Sequence, residues 1–304
     1  MARNTSRKPK KKHTITDAIL TIILIAAIGV FCYAGYNLIH IYLEYKKGVD
    51  EYNKIADMVV TEQDPDAPAA DNGEGDIVDM ETLKPPMKID FETLKQSNED
   101  VIGWIYVEAI DTINYPIVSG RYEPGTENNV NPDYYYLHRT YQGTYNFAGT
   151  IFIDHGNAED FTDCNTVVYG HNMKNGSMFG MLKHFTSDPD TYNKSKYFWI
   201  FTPEKIYKYK IFSAYETKAD QKTYNLFRFR NTEFRNWCYE MRSWSYIDYG
   251  EYPFTKESRI VTLSTCSGTS KIDRTVVQGV QYKEFDFATA KRQYEQKSQQ
   301  ATRP

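Results

Sequence analysis

The sequence predicts a mainly β domain, a barrel or sandwich with a few inserted helices, carried behind one N-terminal helix that spans a membrane. Three observations lead there. The run from Ala18 to Tyr36 holds no charged residue and is built largely of Ile, Leu, Ala and Val. Beyond residue 87, short β-branched and aromatic segments recur between turn-rich stretches, the pattern of many short strands. Phe234, Trp237, Cys238, Met241 and Trp244 instead repeat at helical spacing, so at least one helix is inserted among the strands.

Arg3, Arg7, Lys8, Lys10, Lys11 and Lys12 precede the first acidic residue, Asp17. About 20 helical residues cross the hydrocarbon core, so residues 18–40 suffice for a transmembrane helix. A cleaved signal peptide is the alternative, but the apolar run exceeds its usual core of about 7–15 residues and no Ala-x-Ala site closes it. The positive-inside rule keeps the basic segment 1–17 in the cytoplasm and sends everything after about residue 40 outside. Residues 41–60, with mixed charge and spaced apolar positions, read as a helical stalk. Residues 61–86 include the acidic run Asp64 to Gly75 and almost no large apolar side chain. Such a composition buries too little surface to offset chain entropy, so a flexible linker is expected, reaching roughly 30 Å. The folded domain is expected over 87–288, followed by a polar tail at 289–304.

Within the domain, Ile89, Phe91 and Leu94 suggest a short helix. Trp104–Val107, Ile113–Val118, Gly149–Asp154 and Asn165–Gly170 read as strands, with a helical turn at Tyr134–Leu137. Ser177 to Phe185 suggests a further helix, and Tyr197–Phe201 with Lys205–Tyr215 a hairpin about Pro203. The helical stretch near 232–244 takes Thr232 as a possible N-cap. Two final strands flank the loop Ser267–Asp273.

Composition excludes several classes. A net charge of −4 gives no overall basic field for nucleic acid. The four cysteines, at 32, 164, 238 and 266, lack the C-x-x-C spacing of a zinc site, and they are too few for a disulfide framework. A Cys164–Cys238 bridge stays open, although Cys32, Cys164 and Cys238 read by default as small packing side chains.

Cys266 is different. It ends the strand Arg259–Cys266, and Arg274 opens the next. A thiol needs a base to become a good nucleophile, and attack on an amide carbonyl needs donors for the oxyanion. Arg274 offers a permanent charge with several N–H groups. His138, His155, His171 and His184 are the histidines available as base. His171 stands out between Gly170 and Asn172 at the end of an apolar strand, where a rigid scaffold holds a loop residue. Period 2 puts Thr262, Ser264 and Cys266 on one strand face.

Thr262-Leu263-Ser264-Thr265-Cys266 followed by Arg274 resembles the active-site signature of the sortases. Val168-Tyr169-Gly170-His171-Asn172-Met173, with Gly176-Ser177-Met178-Phe179, resembles the histidine segment of class B members. Val101–Ile105, Ile113–Val118, Tyr136-Leu137 and Gly149–Asp154 are similar as well, so the resemblance runs over roughly 88–285. It implies an eight-stranded sortase β-barrel with a helix inserted before the cysteine strand, and a membrane-anchored cysteine transpeptidase of a Gram-positive cell. It implies Cys266 as nucleophile, His171 as general acid/base and Arg274 as holder of substrate and oxyanion. Leu137, Ser264 and the Ser267 backbone N–H would line the substrate groove. No metal or cofactor is implied. The implied partners are secreted proteins with a C-terminal x-Pro-x-Thr sorting motif, and an amine of the cell-wall peptidoglycan or its precursor. A pilin lysine as acceptor, water as acceptor, and a non-catalytic membrane-tethered binding module are the alternatives.

Overall fold

The computed structural model describes residues 15–62, 85–122, 125, 131–266 and 272–286. The chain divides into two units, Met1–Lys47 and Gly48–Pro304. Helix α1 runs over Ile15–Val59, and its most apolar stretch has a mean hydropathy of 2.5 with none of it buried. It is long and apolar enough to cross a membrane.

The second unit begins at Gly48, well before the domain start expected at 87. The stalk's last turns carry Gly48, Tyr52, Ile55 and Val59 at helical spacing, and all four are buried. Just beyond them, strand β1 (Val60–Glu62) pairs antiparallel with β2 (Met87–Ile89), Val60 opposite Ile89 and Glu62 opposite Met87. The described ends of the stretch expected as a linker, 61–86, thus adjoin one ladder. Residues 63–84 between them lie outside the described residues, as do most of the basic segment and the polar tail.

The remaining elements follow in order: α2 (Phe91–Ser97), β3 (Val101–Val107), β4 (Asn114–Val118), α3 (Asp133–Leu137), β5 (Ile151–Ile153), β6 (Asn165–Tyr169), α4 (His184–Ser187), α5 (Pro189–Lys194), β7 (Tyr197–Phe201), β8 (Lys205–Lys218), α6 (Thr232–Ser243), β9 (Ile260–Cys266) and β10 (Asp273–Asp286). Eight strands close a barrel in the order β10-β8-β7-β3-β4-β5-β6-β9. Neighbours are antiparallel except β4–β5 and β6–β9, which are parallel. The helix expected over 177–185 is replaced by turns, with helix confined to α4. Gly176 and Met178 both take left-handed φ, +81° and +53°, which no helix accommodates. Asn231, not Thr232, caps α6, its side chain accepting from the Phe234 N–H at 2.9 Å. Helix α5 escaped the sequence reading, although Asp188 before Pro189 is a start signal.

Register fixes which faces matter. Ile260, Thr262, Ser264 and Cys266 of β9 stand opposite Val280, Gln278, Val276 and Arg274 of β10. Paired residues share a sheet face. On this outer face Phe234, Trp237, Cys238 and Met241 of α6 form one cluster with Ile260, Val276, Val280, Phe212, Tyr215 and Cys164. Cys164 and Cys238 are free thiols in that cluster. The opposite rows, Val261 and Leu263 with Val277 and Val168, fill the barrel.

A buried polar chain crosses the same outer face. Thr262 Oγ1 donates to Asn165 Oδ1 at 2.7 Å, and Gln278 Nε2 donates to Thr262 Oγ1 at 3.0 Å. Tyr215 lies 3.2 Å from Gln278 Oε1, while Asn165 Nδ2 donates to the Thr223 and Asn225 carbonyls at 3.1 Å each. Four strands and the segment before α6 are thus tied through Asn165. Asn165→Ala leaves these buried groups unpaired, each worth about 1–3 kcal/mol, so urea unfolding should show a loss of about 2–4 kcal/mol, larger than a comparable surface change.

Candidate active site

Each expected residue owes its place to a strand end. The β-branched run Thr166-Val167-Val168 makes β6, which pairs parallel with β9 so that Asn165, Val167 and Tyr169 lie level with Ile260, Thr262 and Ser264. The Gly170 N–H continues the ladder to the Ser264 carbonyl at 3.1 Å. Gly170 must be glycine, because a Cβ there would meet Ile151 and Phe179. The next residue, His171, leaves β6 two positions past Tyr169, the partner of Ser264, just as Cys266 ends β9 two positions past Ser264. On the other side Arg274 stands directly opposite Cys266 in the β9–β10 ladder. Adjacent strands lie about 4.8 Å apart, so Arg274 neighbours Cys266 on one side, while β6, which His171 follows, runs beside β9 on the other. All three side chains are half-buried.

His171 is held on two sides. Its Nε2 lies 2.7 Å from the Leu137 carbonyl oxygen. A carbonyl only accepts, so the proton sits on Nε2 and Nδ1 keeps its lone pair. Its own carbonyl accepts from the Phe179 N–H at 3.0 Å, and Asn172 bridges to Met178. Burial pulls the imidazole pKa below its ordinary 6.5; the Leu137 bond opposes this and His138 adds to it. The His138 ring stacks on His171 at 5.5 Å. His171 is thus held toward its neutral form.

The other histidines serve elsewhere. His155 Nδ1 donates to Asp133 Oδ2 at 3.0 Å, and its backbone N–H donates to Asp133 Oδ1. That bond raises the His155 pKa. His184 opens α4 with Asp188 3.7 Å away. Asp133, Asp154 and His155 bring ligand atoms within 4.8 Å of one another, but each is already engaged, Asp154 accepting from Tyr169 Oη at 2.9 Å and from the Gly156 N–H.

Tyr224 belongs to the site and the sequence reading missed it. Its hydroxyl lies 2.8 Å from Ser264 Oγ, and its ring stacks on Tyr169 at 6.3 Å. Burial pushes its pKa up to about 12; the Ser264 bond and Arg274 lower it and Cys266 raises it. Tyr224 therefore shares its surroundings with both Cys266 and Arg274. Ser264, expected to line a groove, is buried and bonded to Tyr224. Leu137 contributes its carbonyl. Ser267 lies outside the described residues. No motif marked Tyr224, because it sits on a short turn, Lys222–Tyr224, between β8 and α6.

The sortase domain family model matches residues 105–282. The chain belongs to the sortase family, the cysteine transpeptidases that join sorting-signal proteins to cell-wall amines. Its relatives place it in class B. It is 33% identical over 189 residues to sortase B of Listeria monocytogenes, covering 61% of this chain and 71% of that protein. It is 25% identical over 250 residues to sortase B of Staphylococcus aureus, covering 81% and 89%. Among solved structures, sortase B of Bacillus anthracis in complex with AAEK1 matches with a TM-score of 0.60 and 25% identity, over 80% of this chain and 99% of that one. Clostridium perfringens sortase B matches with a TM-score of 0.54 and 30% identity, over 64% and 100%.

The two perturbed imidazoles give a direct check. In an NMR titration one should titrate below pH 6.5 and one above; His171→Gln should remove the first signal and His155→Gln the second. The signs carry into stability. His171, with its depressed folded value, loses stability as pH falls from 6.5 to that value, because the unfolded chain binds the proton more tightly. His155 contributes stability that is present below 6.5 and lost as pH rises through its raised folded value.

Proposed function

We propose that this sortase cleaves an x-Pro-x-Thr sorting motif after its threonine and transfers the acyl group to an amine of the cell-wall peptidoglycan. The observation that supports this reading is Arg274 opposite Cys266 in one ladder, with His171 two residues past Tyr169, the partner of Ser264, on the other strand beside it. His171 Nδ1 takes the proton from the Cys266 thiol, and the sulfur attacks the threonine carbonyl carbon. Arg274 stabilises the oxyanion, with the Ser267 N–H as a second donor. Collapse breaks the C–N bond, and the leaving amine takes the proton back from imidazolium. The incoming amine gives its proton to His171 as it attacks the thioester, and the thiol is regenerated.

The Leu137 carbonyl holds His171 in the required tautomer, and the buried Ser264 acts only through its bond to Tyr224. A solved S. aureus relative is described as a sortase B–substrate complex, so this fold class is known to hold its substrate. The N-terminal helix anchors the protein, residues 1–17 in the cytoplasm and the unit from Gly48 outside, where secreted proteins emerge.

A library of x-Pro-x-Thr peptides should yield one cleaved motif, and Cys266→Ala should abolish its cleavage. His171→Ala and Arg274→Ala should each lower kcat by about 10²-fold or more. The acid limb of kcat/KM should have its midpoint below 6.5, since His171 must be neutral to act. With a peptidoglycan stem amine present, mass spectrometry should show the ligated peptide. Ligation to a pilin lysine peptide in its place would reassign the acceptor, cleavage without ligation would make the protein a hydrolase, and full activity in Cys266→Ala would end the reading.

A further inference from the structure

We propose that Tyr52, on the last turns of the N-terminal helix, is a positioning residue for the catalytic imidazole. The proposal rests on the reading of His171 as general base. Tyr52 is 3% exposed, and burial raises its pKa far above the usual phenol value. Two chains of contact run from this one side chain to the two sides of His171.

The first starts at the hydroxyl. Tyr52 Oη donates to the Gly149 carbonyl at 2.7 Å and lies 2.9 Å from Thr150 Oγ1. Thr150 is fixed to the end of α3, its N–H donating to the Tyr136 carbonyl at 3.1 Å and its hydroxyl to the Arg139 carbonyl at 2.7 Å. Gly149, at φ +60°, lies against the Tyr136 and Leu137 carbonyls, and a Cβ would collide with both. Leu137 O is the atom that holds His171 Nε2. A shift of Gly149–Thr150 thus moves the acceptor that sets the His171 tautomer.

The second starts at the ring. Tyr52 packs edge-on against Tyr115 at 5.4 Å. The Tyr115 hydroxyl accepts from the Met178 N–H at 3.2 Å. Met178, in its left-handed conformation, bridges to Asn172, and Phe179 beside it donates to the His171 carbonyl. The ring therefore supports the turn that grips the histidine backbone, while the hydroxyl supports the bond to its side chain. Because a small misplacement of a catalytic group is costly, removing the hydroxyl should act on turnover more than on binding.

The test uses the full-length chain in detergent micelles and the motif peptide selected from the library. Tyr52→Phe keeps the ring and deletes the hydroxyl. It should lower kcat per folded enzyme about tenfold with KM unchanged. Ile55→Ala loosens the same helix turn without touching the hydroxyl; it should lower the melting temperature and leave kcat per folded enzyme at the wild-type value. Tyr52→Phe with wild-type kcat, whatever its melting temperature, overturns the proposal. So does an equal fall in kcat in both variants, which would make helix docking the cause. His171→Ala run alongside separates the two levels: wild-type activity there would sink the base assignment itself, whereas an inactive His171→Ala beside a fully active Tyr52→Phe would sink the positioning role alone.

Discussion

The parallel pairing of Asn165–Tyr169 with Ile260–Ser264 is the joint on which the molecule depends. It links strands about a hundred residues apart, and it runs the strand before the histidine alongside the strand that ends in the cysteine. A slip of one residue would turn Cys266 into the barrel and Thr265 out to the α6 face. Apolar side chains alone guard poorly against such a slip, because Val261 and Leu263 resemble their neighbours in size. The hydrogen bonds from Asn165 to Thr262 and from Gln278 to Thr262 have no alternative register. The buried polar chain under α6 thus specifies the geometry that the apolar core stabilises, and a fully satisfied network is the condition for doing so without loss.

The same logic separates the two perturbed imidazoles, one exposed and one half-buried. His155 meets a carboxylate and is held toward the charged form. His171 meets a carbonyl, another imidazole and apolar surroundings, and is held neutral. A carbonyl partner directs the proton to one nitrogen without supplying a negative charge. That suits a base whose resting form must be free to accept, and whose charged form is needed only while the tetrahedral species exists.

Much of this was legible in the sequence. The Thr-Val-Val and Ile-Val-Thr runs announced β6 and β9, and the period of Phe234, Trp237, Cys238 and Met241 announced α6 with its buried face. His171, Cys266 and Arg274 all sat at strand ends, which is where a barrel gathers them. The failures have a common cause. The turns after His171 look helical by composition, but left-handed backbone at Gly176 and Met178 answers to tertiary contacts that a local pattern does not carry. Tyr224 and Tyr52 each bond a distant chain segment through a hydroxyl, and a single aromatic residue in a tyrosine-rich sequence gives no period or spacing to notice.

The start of the folded unit shows the limit most clearly. An acidic, proline-containing run invites the reading of a linker, and nothing in its composition says whether its ends are joined. The decisive signal lay earlier, in Gly48, Tyr52, Ile55 and Val59. These recur on one helix face just where the transmembrane stretch has ended, and lipid gives no reason for such a stripe. Burying a large apolar side chain contributes about 1.5–3 kcal/mol, and whole domains are stable by only about 5–15 kcal/mol. Three such side chains are therefore a large share of what holds this barrel folded. A catalytic unit that draws so much stability from the end of its helix has no boundary at residue 87. Its N-terminal edge lies at Gly48, the first buried residue of the helix.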